Sequence, residues 1–427
     1  MTTLFRKGSF GRLCAALLLA SSVGLLWLSG RYHAPPWEVP LLAARVVAAP
    51  LLARFHAEDA VRAAALSAGY LHEARGVAAQ PRESWLAAGR GGKVEILGGS
   101  GVAPLQRGIP FVFESPDAWY LKELRQRYRL QDKVRRQRGE YERMLALFAW
   151  VGTRWDHGAD LVGPVQEHPP VEFVAAGEKG GRFWCQVAAQ VAAQAACAMG
   201  WPSRVITASS DGYRAEHALA EVWSNQFNKW FLVDADYNIV YQSRGVPLSA
   251  YELCHFGPGL KQSGLLEVRR FAPLKAALRE ADLLGLYRYV HYDLRNDWYS
   301  RRLGKGSPAG GDLSTWWTAR KELGAILTPR VRVDARARFD WPVNATEIHL
   351  LNLQEDGRGG YLFEVGLRGY SPYFERFLVR MDRGAWHEAP QARGRFQLEA
   401  GRHLVEARVR TRNGELGPAA AVEFLLR

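Results

Sequence analysis

Phe183-Trp184-Cys185-Gln186, followed by an Ala-rich run to Met199 and then Gly200-Trp201-Pro202, is the stretch whose reading decides the fold. Gln186, Gln190 and Gln194 recur at every fourth position, as do Val187 and Val191. That is helical periodicity, with one polar stripe on a small-residue helix able to pack closely all round. Gly177, Gly180 and Gly181 precede it, and Gly200 then Pro202 stop it. Cys185 therefore heads the helix, where unpaired backbone N–H groups and the helix dipole favour an anion. The same N–H groups suit a developing oxyanion.

Working outward, Arg204-Val205-Ile206-Thr207 is a short apolar run, and His217 to Trp223 alternates as a strand does. Trp230 to Asp234 reads as a second strand, with the polar Ser224 to Asn228 between them as a hairpin. A turn centred on Asn225 and Gln226 makes facing positions sum to about 451, which sets His217 opposite Asp234. Such pairs share a face at about 5 Å between Cβ atoms, whereas a one-residue slip would turn them apart. Singly, Cys185 reads as a buried helix cysteine, His217 as a satisfied strand histidine and Asp234 as a turn carboxylate. Jointly they have the layout of a nucleophile, a base and the group that orients it. Glu221 and Trp223 fall on the His217 face and are expected beneath the site.

These residues resemble the catalytic core of the transglutaminase-like superfamily, whose members share a papain-like fold. The matching features are Trp184-Cys185 opening a helix, the exit Gly200-Trp201-Pro202-Ser203-Arg204-Val205, the His217 strand with Glu221 and Trp223, and Trp230 to Asp234. The resemblance spans about residues 140–260 and implies Cys185 as nucleophile, His217 as base and Asp234 as its partner. Trp184 is the candidate for flanking the acyl group or the oxyanion. No cofactor is implied.

The chain has 427 residues, 48% of them hydrophobic and fifteen of them Trp, enough for two or three folded domains. A formal charge of +13, mostly from Arg, fits either an Arg-rich background or a contact with an acidic polysaccharide or an anionic membrane surface. No compact basic-aromatic module points to nucleic acid. Of the four cysteines, Cys185 and Cys197 lie about 18 Å apart along one helix and cannot pair. A Cys197–Cys254 bridge would leave Cys185 free. No Cys or His spacing suits a structural metal, and Asp156-His157 and Glu167-His168 are isolated pairs.

Leu13 to Ser29 is an uncharged apolar run preceded by Arg6, Lys7 and Arg12. It reads as a signal peptide or a membrane anchor within residues 1–33, with the absence of an A-x-A site favouring the anchor. The charge bias then puts the bulk of the chain outside the cytoplasm, in the periplasm. Residues 34–138 read as mainly helical, and Tyr120 to Arg138 as an exposed basic helix pair. Residues 139–260 form the catalytic core, opened by an amphipathic helix over Glu142 to Trp155. Residues 261–335 read as a helical and loop extension in which Tyr287 to Trp298 either pack or line a groove. From 336 onward, short alternating runs separated by Gly, Asp and Asn turns predict an antiparallel β-sandwich that looks immunoglobulin-like. The fold class is α+β.

Two functions remain open on this reading. One is an envelope cysteine enzyme, a peptidase, amidase or acyltransferase that acts on a protein or peptide through a thioacyl intermediate. The other is a non-catalytic module binding a peptide or glycan in the same cleft.

Overall fold

A computed structural model describes residues 71–72, 80–89, 92–105, 111–161, 165–212, 214–300, 314–319, 330–333 and 335–427. The apolar run Leu13 to Ser29 and Cys14 lie outside the described residues. Among those described, no helix is long and apolar enough to cross a membrane.

Helix α1 (Glu140–Gly152) and helix α2 (Cys185–Ala198) lead into strands β1 (Ser203–Ser209), β2 (His217–Ser224) and β3 (Lys229–Val233). Strand β4 (Ile239–Ser243) and helix α3 (Ala250–Gln262) follow. Strands β5 (Tyr289–Asp293), β6 (Ser314–Thr318) and β7 (Arg330–Arg332) complete the first half. One six-stranded sheet runs β7-β6-β5-β1-β2-β3, antiparallel except between β6 and β7. Residues 261–335, expected as a helical and loop extension, thus supply three strands of this sheet. Among the described residues after α3, Leu283–Arg288 winds helically, as a 3-10 turn, and Tyr289, Val290 and Tyr292 are core residues, not a groove lining.

Helix α2 packs across β2 and β1, and every residue from Val187 to Ala198 is buried. Alanine is the reason: with no side chain beyond Cβ, the helix can lie against the sheet and against α1 at once. Its polar stripe is satisfied inside the protein. Gln190 bonds the Tyr299 hydroxyl, and Gln194 Nε2 donates to the Asn296 carbonyl at 2.8 Å while its Oε1 accepts from Tyr120 at 3.1 Å. The helix ends as its glycine foretold. Gly200 is left-handed at φ +81°, its N–H reaches the Cys197 carbonyl at 2.9 Å, and the Trp201 N–H reaches Ala196 at 3.0 Å.

A second buried constraint fixes the sheet. Arg204 on β1 faces Glu221 on β2, and Arg204 Nε donates to Glu221 Oε2 at 2.7 Å with both side chains fully buried. The guanidinium is stacked 4.0 Å from the Tyr292 ring centre and 4.3 Å from that of Trp230. Glu221 Oε1 accepts the Ala250 N–H at 2.7 Å and so seats the first turn of α3. The Glu221 expected beneath the histidine is instead the anchor of this pair.

The C-terminal half is a β-sandwich. Strands β8 (Ala345–Glu355), β9 (Tyr361–Tyr370), β10 (Phe374–Met381), β11 (Arg393–Leu398), β12 (Gly401–Thr411) and β13 (Ala420–Leu426) are the short alternating runs expected from 336 onward. They form two antiparallel sheets over a shared apolar core. The segment before α1 is not wholly helical. Pro81–Gly89 is a helix whose Trp85 donates to the Ile348 carbonyl at 2.9 Å, while Val94–Gly98 is a strand pairing with β13. Both belong to the sandwich. The two halves touch through Trp230, whose Nε1 donates to the Trp341 carbonyl at 2.7 Å, and through Gly200, beside Asn413.

A Cβ on Gly200 would meet the Asn413 side chain at 2.2 Å, in a conformation that costs an L-residue about 1–2 kcal/mol. Gly200→Ala in the full-length protein should therefore lower the urea midpoint by the equivalent of about 1–3 kcal/mol. Adding Asn413→Gly should recover part of the loss. An unchanged midpoint would mean that the helix exit is not held as described.

Candidate active site

Cys185 is the first residue of α2, and Trp184 is its N-cap at φ −87° and ψ −179°. The Trp184 side chain is half-buried at the edge of the core. Its carbonyl accepts the Val187 and Ala188 N–H groups at 3.1 and 3.2 Å. No side chain caps the helix N-terminus, so the first N–H groups beside the thiol are not taken up by a capping side chain. Cys185 is half-buried and free.

His217 opens β2 and is 6% exposed, and Asp234 is 1% exposed. His217 Nε2 donates to Asp234 Oδ2 at 2.7 Å. The hairpin behind this contact differs from expectation by two residues. Ser224 pairs with Lys229 and Glu221 with Leu232, so facing positions sum to 453 and the turn takes in Asn225 to Asn228. A shift of two keeps every side chain on its face. Asp234 therefore remains on the His217 side, although Leu219 and not His217 would be its direct partner. The turn is longer because α1 grips it: Glu140 Oε2 accepts from Ser224 Oγ at 2.7 Å and from the Gln226 N–H at 2.8 Å.

Asp234 lies just past β3, where its backbone closes a pair of 3.0 Å bonds with Ile239 at the start of β4. Its Oδ1 accepts the Asp236 N–H at 3.0 Å and the Tyr237 N–H at 2.9 Å. Three donors thus hold one carboxylate, leaving it no freedom to leave the ring it orients. Tyr237 meets the His217 ring edge-on, with ring centres 5.8 Å apart.

Burial works against a charge on His217. The charge and hydrogen bond of Asp234 outweigh it, a hydrogen bond to Cys185 and the charge of that sulfur add to them, and the imidazole rises from 6.5 to about 10. Since Nε2 is committed to Asp234, Nδ1 is the ring atom left for the Cys185 sulfur. The structure therefore brings Cys185, His217 and Asp234 together, with the histidine held as an imidazolium at neutral pH. Burial raises the other two described cysteines. Cys197 is pushed upward while bonded to the Tyr373 hydroxyl at 3.0 Å and the Glu114 carbonyl at 3.2 Å. Cys254 is pushed up to about 12, its sulfur 3.4 Å from the Arg288 carbonyl. Both are free thiols, so the Cys197–Cys254 bridge does not form.

A second cluster beside this site went unread in the sequence. Asp236, 1% exposed, accepts from His157 Nδ1 at 2.8 Å and from Lys275 Nζ at 2.9 Å. The spacing of Asp234 and Asp236 was the one available signal. Among the described residues no group of three or more His, Cys, Asp and Glu side chains is arranged to hold a metal ion.

The raised His217 gives stability a definite pH dependence. The folded value, about 10, lies above the 6.5 of an exposed ring. Its contribution is therefore whole below about pH 6.5 and is lost as pH rises towards 10. The melting-temperature gap between the wild type and His217→Gln should be widest near pH 6 and narrow steadily by pH 10. A gap that widens with pH would contradict the imidazolium. Asp234→Ala, which strands a buried charge and two main-chain donors, should cost about 3–5 kcal/mol in urea unfolding at pH 6.

No curated protein matches the chain. Residues 128–235, which span α1, α2, β1, β2 and β3 and include Cys185, His217 and Asp234, match the family model of the Transglutaminase-like superfamily. The match begins somewhat earlier and ends sooner than the 140–260 suggested by the motifs, and it covers about a quarter of the chain. The core that carries these three residues is thus a transglutaminase-like domain.

Proposed function

We propose that the protein is a cysteine acyl-transfer enzyme of papain-like core, acting on amide bonds of a protein or peptide outside the cytoplasm, with hydrolysis as its main outcome. The observation that carries this is the 2.7 Å bond from His217 to Asp234, with Cys185 on the remaining side of the ring at an uncapped helix N-terminus. The Cys185 sulfur attacks the amide carbonyl carbon, and its C=O electrons move onto oxygen. The helix N–H groups, with Trp184 beside them, steady that oxyanion. As the C–N bond breaks, the His217 imidazolium hands its proton to the departing amine, leaving a thioester on Cys185 and a neutral ring. Water then attacks the thioester, His217 takes its proton, and the C–S bond breaks to release the acid. An amine in place of water gives transfer. Asp234 keeps the ring in the tautomer that both half-reactions need.

The extracytoplasmic setting rests on the basic-then-apolar pattern of residues 1–29. The net charge of +13 makes an acidic polysaccharide or an anionic membrane surface a further candidate contact. The sandwich would space or bind and carry no chemistry.

The test is alkylation of the full-length protein by iodoacetamide at pH 7, followed by intact mass. Cys185 should react selectively, and His217→Ala should slow it at least about tenfold, since an activated cysteine depends on its neighbouring cation. With a peptide substrate library and hydroxylamine present, the thioester should be trapped as a hydroxamate, and Asp234→Asn should lower turnover by at least about a hundredfold. A Cys185 that reacts no faster than a free thiol, unmoved by His217→Ala, would leave a binding module in place of an enzyme.

A further inference from the structure

The turn after β3 carries two buried carboxylates, and each holds an imidazole. Asp234 holds His217, while Asp236 holds His157 through Nδ1 at 2.8 Å. The two are tied together, because the Asp236 N–H is itself a donor to Asp234 at 3.0 Å. Lys275, whose side chain is 3% exposed, donates to the other oxygen of Asp236 at 2.9 Å and lies 5.4 Å from the Trp155 ring centre. A buried ammonium here balances the charge of Asp236. The carboxylate can then orient the His157 ring through Nδ1–H, and in the neutral ring Nε2 is the hydrogen-bond acceptor.

The position of His157 is set from the other side as well. The neighbouring Asp156 carbonyl accepts the Phe183 N–H at 3.1 Å, and Asp160 N–H reaches the Arg182 carbonyl at 3.0 Å. The loop bearing His157 therefore runs along the segment that delivers Cys185, two residues beyond Phe183. Unlike His217, the His157 side chain is 34% exposed, and its Nε2 has no hydrogen-bond partner among the described residues. A purely structural histidine has no need of a buried aspartate and lysine to fix one nitrogen while the other faces open space.

Building on the acyl-transfer reading above, we infer that His157 is a substrate-contacting residue of the cleft, whose Nε2 accepts a hydrogen bond from a backbone or side-chain N–H flanking the scissile carbonyl. Asp236 and Lys275 are positioning residues that hold the ring. This assigns a preference for substrates with an N–H next to the acyl group, as in a peptide, over fully N-substituted amides or esters.

The test compares two alkylating probes on the full-length protein: iodoacetyl-glycinamide, which offers N–H groups, and its fully N-methylated counterpart, which offers none. Intact mass gives the rate at Cys185 for each. In the wild type the N–H probe should react faster, and its advantage should fall about fivefold in His157→Asn, roughly one neutral hydrogen bond. Asn retains a donor for Asp236 but no acceptor at the Nε2 position. His157→Gln, which sets an acceptor there, should restore part of the advantage. The methylated probe should still react faster than a free thiol in both variants, which shows that Cys185 and His217 are intact. A probe ratio that does not move in His157→Asn, or a uniform loss with both probes that Gln does not rescue, overturns the inference. In either case a methylated-probe rate that stays above that of a free thiol in the wild type and drops in His217→Ala leaves the enzyme reading standing.

Discussion

Everything at the site hangs on supplying the buried Asp234 carboxylate with hydrogen-bond donors. A buried carboxylate without partners takes up a proton and ceases to orient anything. Here two main-chain N–H groups take one oxygen and the His217 ring takes the other. The turn donors are available only because the chain reverses directly after β3, with Asn238 in the left-handed region at φ 59°. The reversal between β3 and β4, closed by the single bridge of Asp234 with Ile239, is thus a consequence of the carboxylate's needs. Moving Asp234 into the regular part of β3 would commit the neighbouring N–H groups to the sheet and leave its oxygen short of donors.

Cys185 is positioned by a different means. Nothing polar tethers the body of α2 to His217; the distance is set by alanines that let the helix sit low on β2 and β1. A low seat is useful only if the sheet beneath does not shift, and the Arg204–Glu221 pair provides that. Both groups are inaccessible, so any slip between β1 and β2 would separate two buried charges at a cost of several kcal/mol. The same glutamate seats α3 and the same arginine bonds the Phe339 carbonyl at 2.9 Å. The segment entering the sandwich is thereby fixed to the six-stranded sheet.

How much of this was legible follows from the range of the interactions. The helix, its head at Cys185 and its stop at Gly200 depend on neighbours within a few residues, and so can be read locally. The face shared by His217 and Asp234 also survived, because strand parity is indifferent to a two-residue shift. The register itself was not readable, since Glu140, some eighty-five residues upstream, sets the turn. Tyr289–Asp293 gives no alternation because the strand lies inside the sheet and is buried on both faces. Val94–Gly98 joins β13 across more than 320 residues, a pairing no local pattern encodes. The His157–Asp236–Lys275 group has members 39 and 79 residues apart from the central aspartate. Only the folded turn brings them together.

The cysteines show why position on a helix matters more than residue type. Cys185 and Cys197 share α2 and differ by about three turns. At the C-terminal end Cys197 is fully buried, bonded to a tyrosine hydroxyl and a carbonyl, where a charged sulfur would be stranded in an apolar core; burial accordingly holds it in the thiol form. At the N-terminal end Cys185 meets unpaired N–H groups, an imidazolium and partial exposure. A helix dipole alone would separate the two ends by only about 0.3–1 kcal/mol each. Desolvation is the larger influence on Cys197. The proposed chemistry is therefore concentrated at one end of one helix, and the remainder of α2 serves to keep that end still.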